Sequence, residues 1–313
     1  MWEVSGALGK SFLVAGLLPA LAFFAASDVV IVPHLLGGRY LAGIEFLGIK
    51  GVVYILGGTF LGFLLLSLNT PIIKLYERGL FLSPWLRRHN QERHKQRYTA
   101  LVDRRETYLQ AREAGQEGAE SSAKVELEKA IATLEGVHEA IEKKFGSIQS
   151  LPHDRAYVMP TALGNVFAVM EEYPHERYGM DAIVYWPRLA AVIPADYTSL
   201  IADLKTTLDF LLNLSLLTGL FGLSALGVGA WFLMIPECVY GLIALIVCYG
   251  LYRMGVGAAH ELGNAIMSSF DLFRRALLEK YGLPKPKSLI AEQQLWQRLA
   301  DFIRRGEEFY FPH

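Results

Sequence analysis

The chain has 313 residues, 52% of them hydrophobic and 19% charged, with a formal net charge of -1 and a mean hydropathy of +0.28. This composition is too apolar for an ordinary soluble enzyme, and it excludes extensive disorder, a collagen-like chain and a disulfide scaffold. Windows 51 to 73 and 210 to 236 contain no Asp, Glu, Lys or Arg. Because about 20 such residues cross a bilayer as a helix, the sequence predicts an integral membrane protein.

Four segments are predicted to span the membrane: 11–32, 48–70, 209–235 and 238–258. The first contains Pro19 and Asp28, and a cleaved signal peptide with Lys10 as its basic region is an alternative interpretation. The apolar run continues well beyond the small residues that resemble a cleavage site, so a retained span is favoured. The fourth span meets Arg253, which can reach the headgroups if it lies near the cytosolic end.

The distribution of basic residues predicts the orientation. Lys and Arg outnumber Asp and Glu in 71–105 and in 274–305, and cytoplasmic flanks accumulate basic residues. Both termini are therefore expected in the cytoplasm, with the protein in a bacterial inner (plasma) membrane. The parts on the outer side would be the loop 33–47 and a turn at Pro236-Glu237.

The predicted fold class is an all-α dominated integral membrane protein with four transmembrane helices, a cytosolic helical hairpin and a compact module rich in proline and aromatic residues. Prolines forbid one continuous helix in that module. The third helix is expected to start near Asp196, and the fourth to continue without a break as far as Gly282. Five parts follow in chain order: an N-terminal transmembrane hairpin (1–70), a basic flank with the charged hairpin (71–150), the Pro/aromatic module (151–197), a long helical transmembrane hairpin (198–282) and a C-terminal cytosolic amphipathic helix (283–313).

Small and polar residues recur along the third span at helical spacing, and they are candidates for a pore lining or for helix packing. Small side chains let helix backbones approach closely within one chain. In an oligomer, the polar members of the set would instead face permeating water or ions. The candidate residues are Asn213, Ser215, Thr218, Gly222 and Gly229.

Two further groups carry charge at the predicted membrane boundaries. Asp28, Glu45 and Glu237 are candidates for an acidic outer mouth that favours cations, and the alternative is a set of ordinary interfacial acids. A basic segment on the cytosolic side has three interpretations: contact with anionic headgroups, a topology signal, or a positive vestibule that binds a polyanion. The candidate ligand-binding residues of this segment are Arg87, Arg88, Arg93, Lys95 and Arg97.

No pattern in the chain predicts an enzyme. His260-Glu261 begins like the zinc-binding motif of metalloproteases, but Asn264 stands where that motif has its second histidine. Phosphate-binding loops, dinucleotide fingerprints and nucleophile elbows are absent from the sequence. The only cysteines, Cys238 and Cys248, cannot form a multi-cysteine zinc cluster, so neither a metal nor a cofactor is predicted.

Three short stretches carry a resemblance to known proteins: Pro160-Thr161-Ala162-Leu163-Gly164-Asn165, Arg177-Tyr178-Gly179-Met180-Asp181 and Trp186-Pro187-Arg188-Leu189. This PTxLGN, RYGxD, WPRL pattern resembles a group of bacterial four-span membrane proteins. The whole layout also resembles the channel-forming effector of Hailong-type anti-phage defence. That resemblance implies an oligomeric ion channel that is held closed by a short nucleic-acid ligand from a partner nucleotidyltransferase.

The sequence therefore predicts a homo-oligomeric ion channel or pore in the lipid bilayer, gated through its cytosolic region, with antiviral defence as its role. The alternative is a non-conducting membrane scaffold whose charged cytosolic parts dock partner proteins. A transporter has less support, because the chain shows no inverted repeat with broken helices around a midplane site.

Overall fold

The computed structural model describes residues 9–36, 47–96, 99 and 157–309, and within these residues every regular element is a helix. The chain divides into two compact units, one formed by Met1–Leu75 with Leu189–Arg274 and the other by Tyr76–Arg188 with Arg275–His313. We call them the first and the second unit. The helices are α1 (Gly9–Val30), α2 (Val32–Leu36), α3 (Leu47–Ser67), α4 (Asn69–Glu77), α5 (84–96), α6 (Ala162–Tyr178), α7 (Ala182–Leu189), α8 (Ala195–Trp231), α9 (Ile235–Lys280) and α10 (Leu289–Arg305).

Three helices are long and apolar enough to cross a membrane, namely α1, α8 and α9. The helices α3 and α4 meet at a bend of 60° and pass the same test together, so they are either a fourth, broken span or a re-entrant segment. The prediction of a helical, multi-pass membrane protein is thus confirmed, with three spans or with up to four. Lengths of 37 and 46 residues for α8 and α9 correspond to about 55 and 70 Å, well beyond the ~30 Å hydrocarbon core.

The start of α1 is a π-helix from Phe12 to Leu17, in which the Leu18 amide bonds to the Leu13 carbonyl oxygen. Pro19 explains why regular α-helical bonding is interrupted here. In an α-helix, the backbone amide of residue 19 would donate a hydrogen bond to the Ala15 carbonyl oxygen. Proline has no N–H to donate. The Ala15 carbonyl is therefore open to a partner from another helix.

Close backbone approach holds α1 against α3. A Cβ atom on Gly16 would lie 2.7 Å from the Gly62 carbonyl oxygen, and one on Gly58 would lie 2.6 Å from Leu21 Cδ2. The small residues of α3 are thus used for packing within the chain, as is common for membrane helices.

The second unit contains a small core of aromatic and aliphatic side chains. Tyr185, Trp296 and Met180 are fully buried, and the Tyr185 and Trp296 rings meet edge to face at 5.0 Å. Helix α10 begins at the cap Ser288, whose hydroxyl accepts from the Ala291 amide at 3.2 Å. The predicted charged hairpin lies mostly outside the described residues, which include its first turns as α5.

Candidate functional site

A line of polar side chains on α8 faces α1 and the start of α4 in the first unit. On α8, Asp203, Thr206, Asp209 and Asn213 are spaced by three or four residues, which places them on one side of a helix. We call this line and its partners the polar track. Its members are Lys10, Ser11, Asn69, Asp203, Lys205, Thr206, Asp209 and Asn213.

The end of the polar track at Lys10 and Asp203 is accessible to solvent. Lys10 Nζ lies 2.6 Å from Asp203 Oδ1, and both side chains are more than half exposed. One turn further, Ser11 Oγ and Thr206 Oγ1 are 2.8 Å apart, and Thr206 is buried. The track thus leads from an exposed ion pair into the interior of the helix bundle.

The deep end of the track lies at Asn213, which is completely buried. Its Nδ2 donates to the Ala15 carbonyl oxygen at 2.8 Å and approaches Asn69 Oδ1 at 3.4 Å. The Ala15 carbonyl is the one that Pro19 leaves without its α-helical donor. Asn213 therefore compensates on α8 for the irregular backbone of α1.

Asp209 lies between the exposed and the buried ends. Its carboxylate is almost fully buried, and Oδ2 accepts from Lys205 Nζ at 2.5 Å. The Asn69 side chain also lies beside this carboxylate. Among the described residues, Asp209 Oδ1 and Asn213 Oδ1 have no hydrogen-bond partner. Two buried oxygens without partners are costly, so this part of the bundle is suited to hold something polar.

Most of the predicted pore or packing residues lie elsewhere, against α9. Ser215 Oγ donates to the Cys248 carbonyl oxygen at 3.0 Å. A Cβ on Gly222 would lie 3.0 Å from the Gly241 carbonyl oxygen, and one on Gly229 would lie 2.8 Å from the Cys238 amide nitrogen. These contacts are those of helix packing within the chain, and of the five candidates only Asn213 belongs to the polar track.

Thr218 differs from the rest of that set, because it lines an apolar cleft of about 360 Å³ in the first unit. The cleft lies between α1, α8 and α9, and its walls include Phe23, Phe221 and Tyr240. Apart from the Thr218 hydroxyl, the walls offer little polar surface, so the cleft suits an apolar occupant rather than an ion.

Two of the three predicted outer-mouth acids, Asp28 and Glu237, lie within the described residues. Glu237 is buried in the first turn of α9, and its Oε1 lies 3.0 Å from His34 Nε2. Asp28 is half-buried near the end of α1. Glu45 lies outside the described residues, so the acidic mouth stays a prediction.

The basic candidates on α5 differ in their exposure. Arg88 and Arg93 are exposed, whereas Arg87 and Lys95 are half-buried, and Arg97 lies outside the described residues. Trp85 is 72% exposed and stacks on His89 with ring centroids 5.5 Å apart. A polyanion would therefore meet Arg88 and Arg93 first.

The residues of the PTxLGN stretch have structural roles in the second unit. Thr161 caps α6 by accepting from the Gly164 amide at 3.0 Å, and its hydroxyl donates to the Glu77 carbonyl oxygen at 2.7 Å. Asn165 is buried and accepts from the Met159 amide at 2.7 Å. A Cβ on Gly164 would lie 2.5 Å from the Glu77 carbonyl oxygen, so only glycine fits there.

The RYGxD stretch connects α6 to α7 and approaches α10. Gly179 ends α6 with a φ of 70°, a left-handed conformation that favours glycine, and a Cβ added there would lie 2.8 Å from the Gln293 carbonyl oxygen. Asp181 accepts from the Val184 amide at 3.1 Å as a cap of α7 and forms an ion pair with Arg304. The described residues of these two motifs thus cap and pack the helices of the second unit. None of these interactions belongs to the polar track.

Known proteins offer no guide to this site, since no known protein family, curated protein or solved structure matches the chain. In the described ranges, 9–36, 47–96 and 157–309, no group of three His, Cys, Asp or Glu side chains is placed to hold a metal. The resemblance to the four-span group and to the defence effector stays a prediction, and the site is interpreted from its own geometry.

Sequence reasoning missed most of the polar track. Asp209 and Lys205 were visible as a pair one turn apart at the start of the third span, and Asn213 continues the same face. Asn69 gave no such signal, because its partner is 144 residues away. Pro19 indicates that the Ala15 carbonyl lacks its α-helical donor, but the sequence does not indicate which helix supplies a donor instead.

Proposed function

We propose that the protein is an oligomeric membrane ion channel or pore, and that the polar track is part of its ion pathway. The supporting observation is a buried carboxylate and a buried amide, Asp209 and Asn213, whose oxygens have no partner in the described part of the chain. Ionisable groups within membrane helices are costly and mark ion or proton pathways.

Helix packing accounts for Asn213, which donates to the Ala15 carbonyl oxygen, but it gives no reason for a buried carboxylate at Asp209. Replacing a buried ion pair by well-packed apolar residues is often neutral or stabilising, so packing alone favours leucine at position 209. The track has instead an exposed end at Lys10 and Asp203 and a buried end at Asn213. Polar groups that change gradually from exposed to buried would let an ion exchange its hydration shell for protein ligands in steps.

Control from the cytosolic side is the second part of the proposal. Arg88 and Arg93 are exposed on α5, and a phosphate backbone binds such arginines with strong dependence on salt. A short nucleic-acid ligand made by a partner nucleotidyltransferase would favour the closed state, and its release would shift the population towards the conducting state. An anti-phage role in the bacterial inner membrane belongs to the same proposal.

Ion flux through the purified protein in liposomes tests the conduction proposal. The wild type should pass alkali cations, and Asp209→Asn should reduce the flux, because this carboxylate is the anion at the buried end of the track. Ser224→Ala is the matched control, since Ser224 is exposed on the same helix and bonds only to the preceding turn in the described structure. A correctly inserted wild-type protein without flux would favour the non-conducting scaffold.

Short oligonucleotides added to the side that carries α5 test the gating proposal. They should suppress the flux of the wild type, and Arg88→Glu with Arg93→Glu should remove that suppression while basal flux remains. Arg87 is unsuitable for charge reversal, because its Nε is buried and the change would disturb packing. Suppression that survives the double reversal would contradict the assignment of the ligand to these arginines.

A further inference from the structure

The deep end of the polar track is built from oxygen atoms of three side chains and one backbone carbonyl. We propose that Asp209, Asn213 and Asn69 form a binding site for one monovalent alkali cation, and that the Lys205 ammonium group holds the Asp209 carboxylate when the cation is absent. The inference rests on the proposed function, since it names the ligand class of the pathway.

The available oxygens match the needs of a hard cation. Asp209 Oδ1 and Asn213 Oδ1 are buried without a partner among the described residues, and they lie one turn apart on α8, where Cβ atoms are about 5–6 Å apart. Asn69 Oδ1 accepts from Asn213 Nδ2 at 3.4 Å, so this donor has to turn away before the Asn69 oxygen can bind a cation. Alkali and other hard cations are bound by such carboxylate and carbonyl oxygens.

The backbone of α1 supplies the fourth oxygen. Ala15 belongs to the π-helix that precedes Pro19, and its carbonyl oxygen lies 2.8 Å from Asn213 Nδ2. Irregular backbone at membrane depth is tolerated where it lines a polar site, and the carbonyls of interrupted helices bind ions in membrane transporters. A rotation of the Asn213 side-chain amide would place its oxygen, instead of its nitrogen, next to the Ala15 carbonyl of α1.

The charge of the cluster selects a monovalent ion. Asp209 is the acid among its three residues, and Lys205 already balances it at 2.5 Å. If the ammonium group moves away, one monovalent cation restores neutrality. A divalent ion would leave an uncompensated positive charge in a buried site, which is strongly unfavourable.

Lys205 is able to leave the carboxylate, because its side chain is 52% exposed whereas that of Asp209 is 6% exposed. Its flexible aliphatic stem can carry the ammonium group to the headgroup region without backbone movement. The lysine therefore acts as a tethered competitor of the cation. Access for the ion follows the Ser11 and Thr206 hydroxyls from the exposed end of the track.

Thermal unfolding of the full-length protein in detergent tests the site without any requirement for flux. The Tm is measured in lithium, sodium and potassium chloride and, at equal ionic strength, in choline chloride, whose cation is too large for the cluster. At least one alkali cation should raise the Tm by about 2–4 °C, as expected for a ligand at several times its Kd. Asp209→Asn and Asn213→Ala should abolish this shift.

Two further variants separate the site from general salt effects. Lys205→Met removes the competitor and should lower the salt concentration that produces half of the Tm shift. Glu279→Gln is the matched control, because Glu279 on α9 is also paired with a lysine, Lys285, but is more than half exposed and lies outside the polar track, and it should keep the full alkali-specific shift. Equilibrium binding of radioactive sodium or rubidium to the wild type decides the matter if a variant does not fold.

The outcomes distinguish this inference from the proposed function. Equal Tm values of the wild type in alkali and choline salts, with no binding of the radioactive ions, would overturn the cation site even if the protein conducts. An alkali-specific shift that Asp209→Asn retains would also overturn it. A shift that depends on Asp209, in a protein that shows no flux, would support the site and contradict the conduction proposal alone.

Discussion

Tyr185 lies in the core of the second unit, where its phenol donates a hydrogen bond of 2.5 Å to the Trp296 carbonyl oxygen. Burial is the main cause that raises the pKa of this phenol, so it remains a donor across the physiological pH range. Phenylalanine would fill the same volume without the donor.

We predict that Tyr185→Phe lowers the free energy of unfolding by about 1 kcal/mol, since a buried acceptor loses its partner. Thermal or denaturant unfolding measures this loss. Tyr249→Phe is the control, because Tyr249 is 65% exposed and its substitution should have little effect. Equal effects of both substitutions would show that the buried hydrogen bond does not stabilise the core.

Glu171 on α6 is a second titratable group of this unit. Partial burial is the largest cause that raises its pKa, and the neighbouring carboxylates of Glu77 and Asp181 raise it further. A carboxyl whose pKa is higher in the folded state disfavours folding when it is charged. The contribution of the Glu171 carboxyl to the stability of the folded state is therefore fully present at low pH. This contribution is lost as the pH rises through the folded-state pKa.

Glu171→Gln should accordingly raise the Tm at pH 7.5 and give no gain at about pH 4, near the ordinary glutamate pKa. The comparison requires the Tm of both proteins at both pH values. Both Glu171 and Glu308 are exposed, but the Glu77 and Asp181 carboxylates act on Glu171, so Glu308→Gln is the control and should show no such dependence on pH. A gain from Glu171→Gln that is the same at both pH values would exclude charge as its cause.

At the scale of elements, the packing between α8 and α9 depends on glycine at particular positions. A Cβ on Gly229 would lie 2.7 Å from Cys238 Sγ and 2.8 Å from its backbone nitrogen, whereas a Cβ on Gly227 would meet nothing within 4 Å. The two positions share one helix and differ by half a turn, so they form a matched pair.

Gly229→Ala should destabilise the protein by about 1–3 kcal/mol, because the helices must move apart. Gly227→Ala should be neutral or stabilise by up to about 1 kcal/mol, because alanine favours a helix more than glycine does. Unfolding in detergent measures both values. If Gly227→Ala instead weakened an assembly of several chains, that face would be in contact with another copy.

At the scale of the whole molecule, the bent pair α3 and α4 determines the topology. If the pair crosses the membrane, four spans place both termini on the same side, as the basic flanks predict. If the pair is re-entrant, three spans place the termini on opposite sides.

Reporter fusions at each terminus distinguish these topologies. We expect a fluorescent protein to fluoresce and alkaline phosphatase to remain inactive at both termini, because both termini are predicted to lie in the cytoplasm. An active phosphatase at one terminus alone would identify α3 and α4 as re-entrant and would contradict the four-span topology.

The sequence by itself determined the membrane helices and several of their ends. Charge-free windows and helix breakers are local properties of the chain, so the start of α8 near Asp196 and the end of α9 before Gly282 could be predicted. Residues 101–156 lie outside the described structure, and the hairpin expected there stays a prediction.

The candidate site was decided by the tertiary structure. Asn213 meets Ala15 across 198 residues of sequence and Asn69 across 144, and no periodicity within one helix indicates which distant helix it will face. The same holds for the small residues of α8, for which spacing permitted either a pore lining or packing. Helix packing brings Asn213 to Ala15 and Asn69, and it depends on the shapes of all the helices in contact.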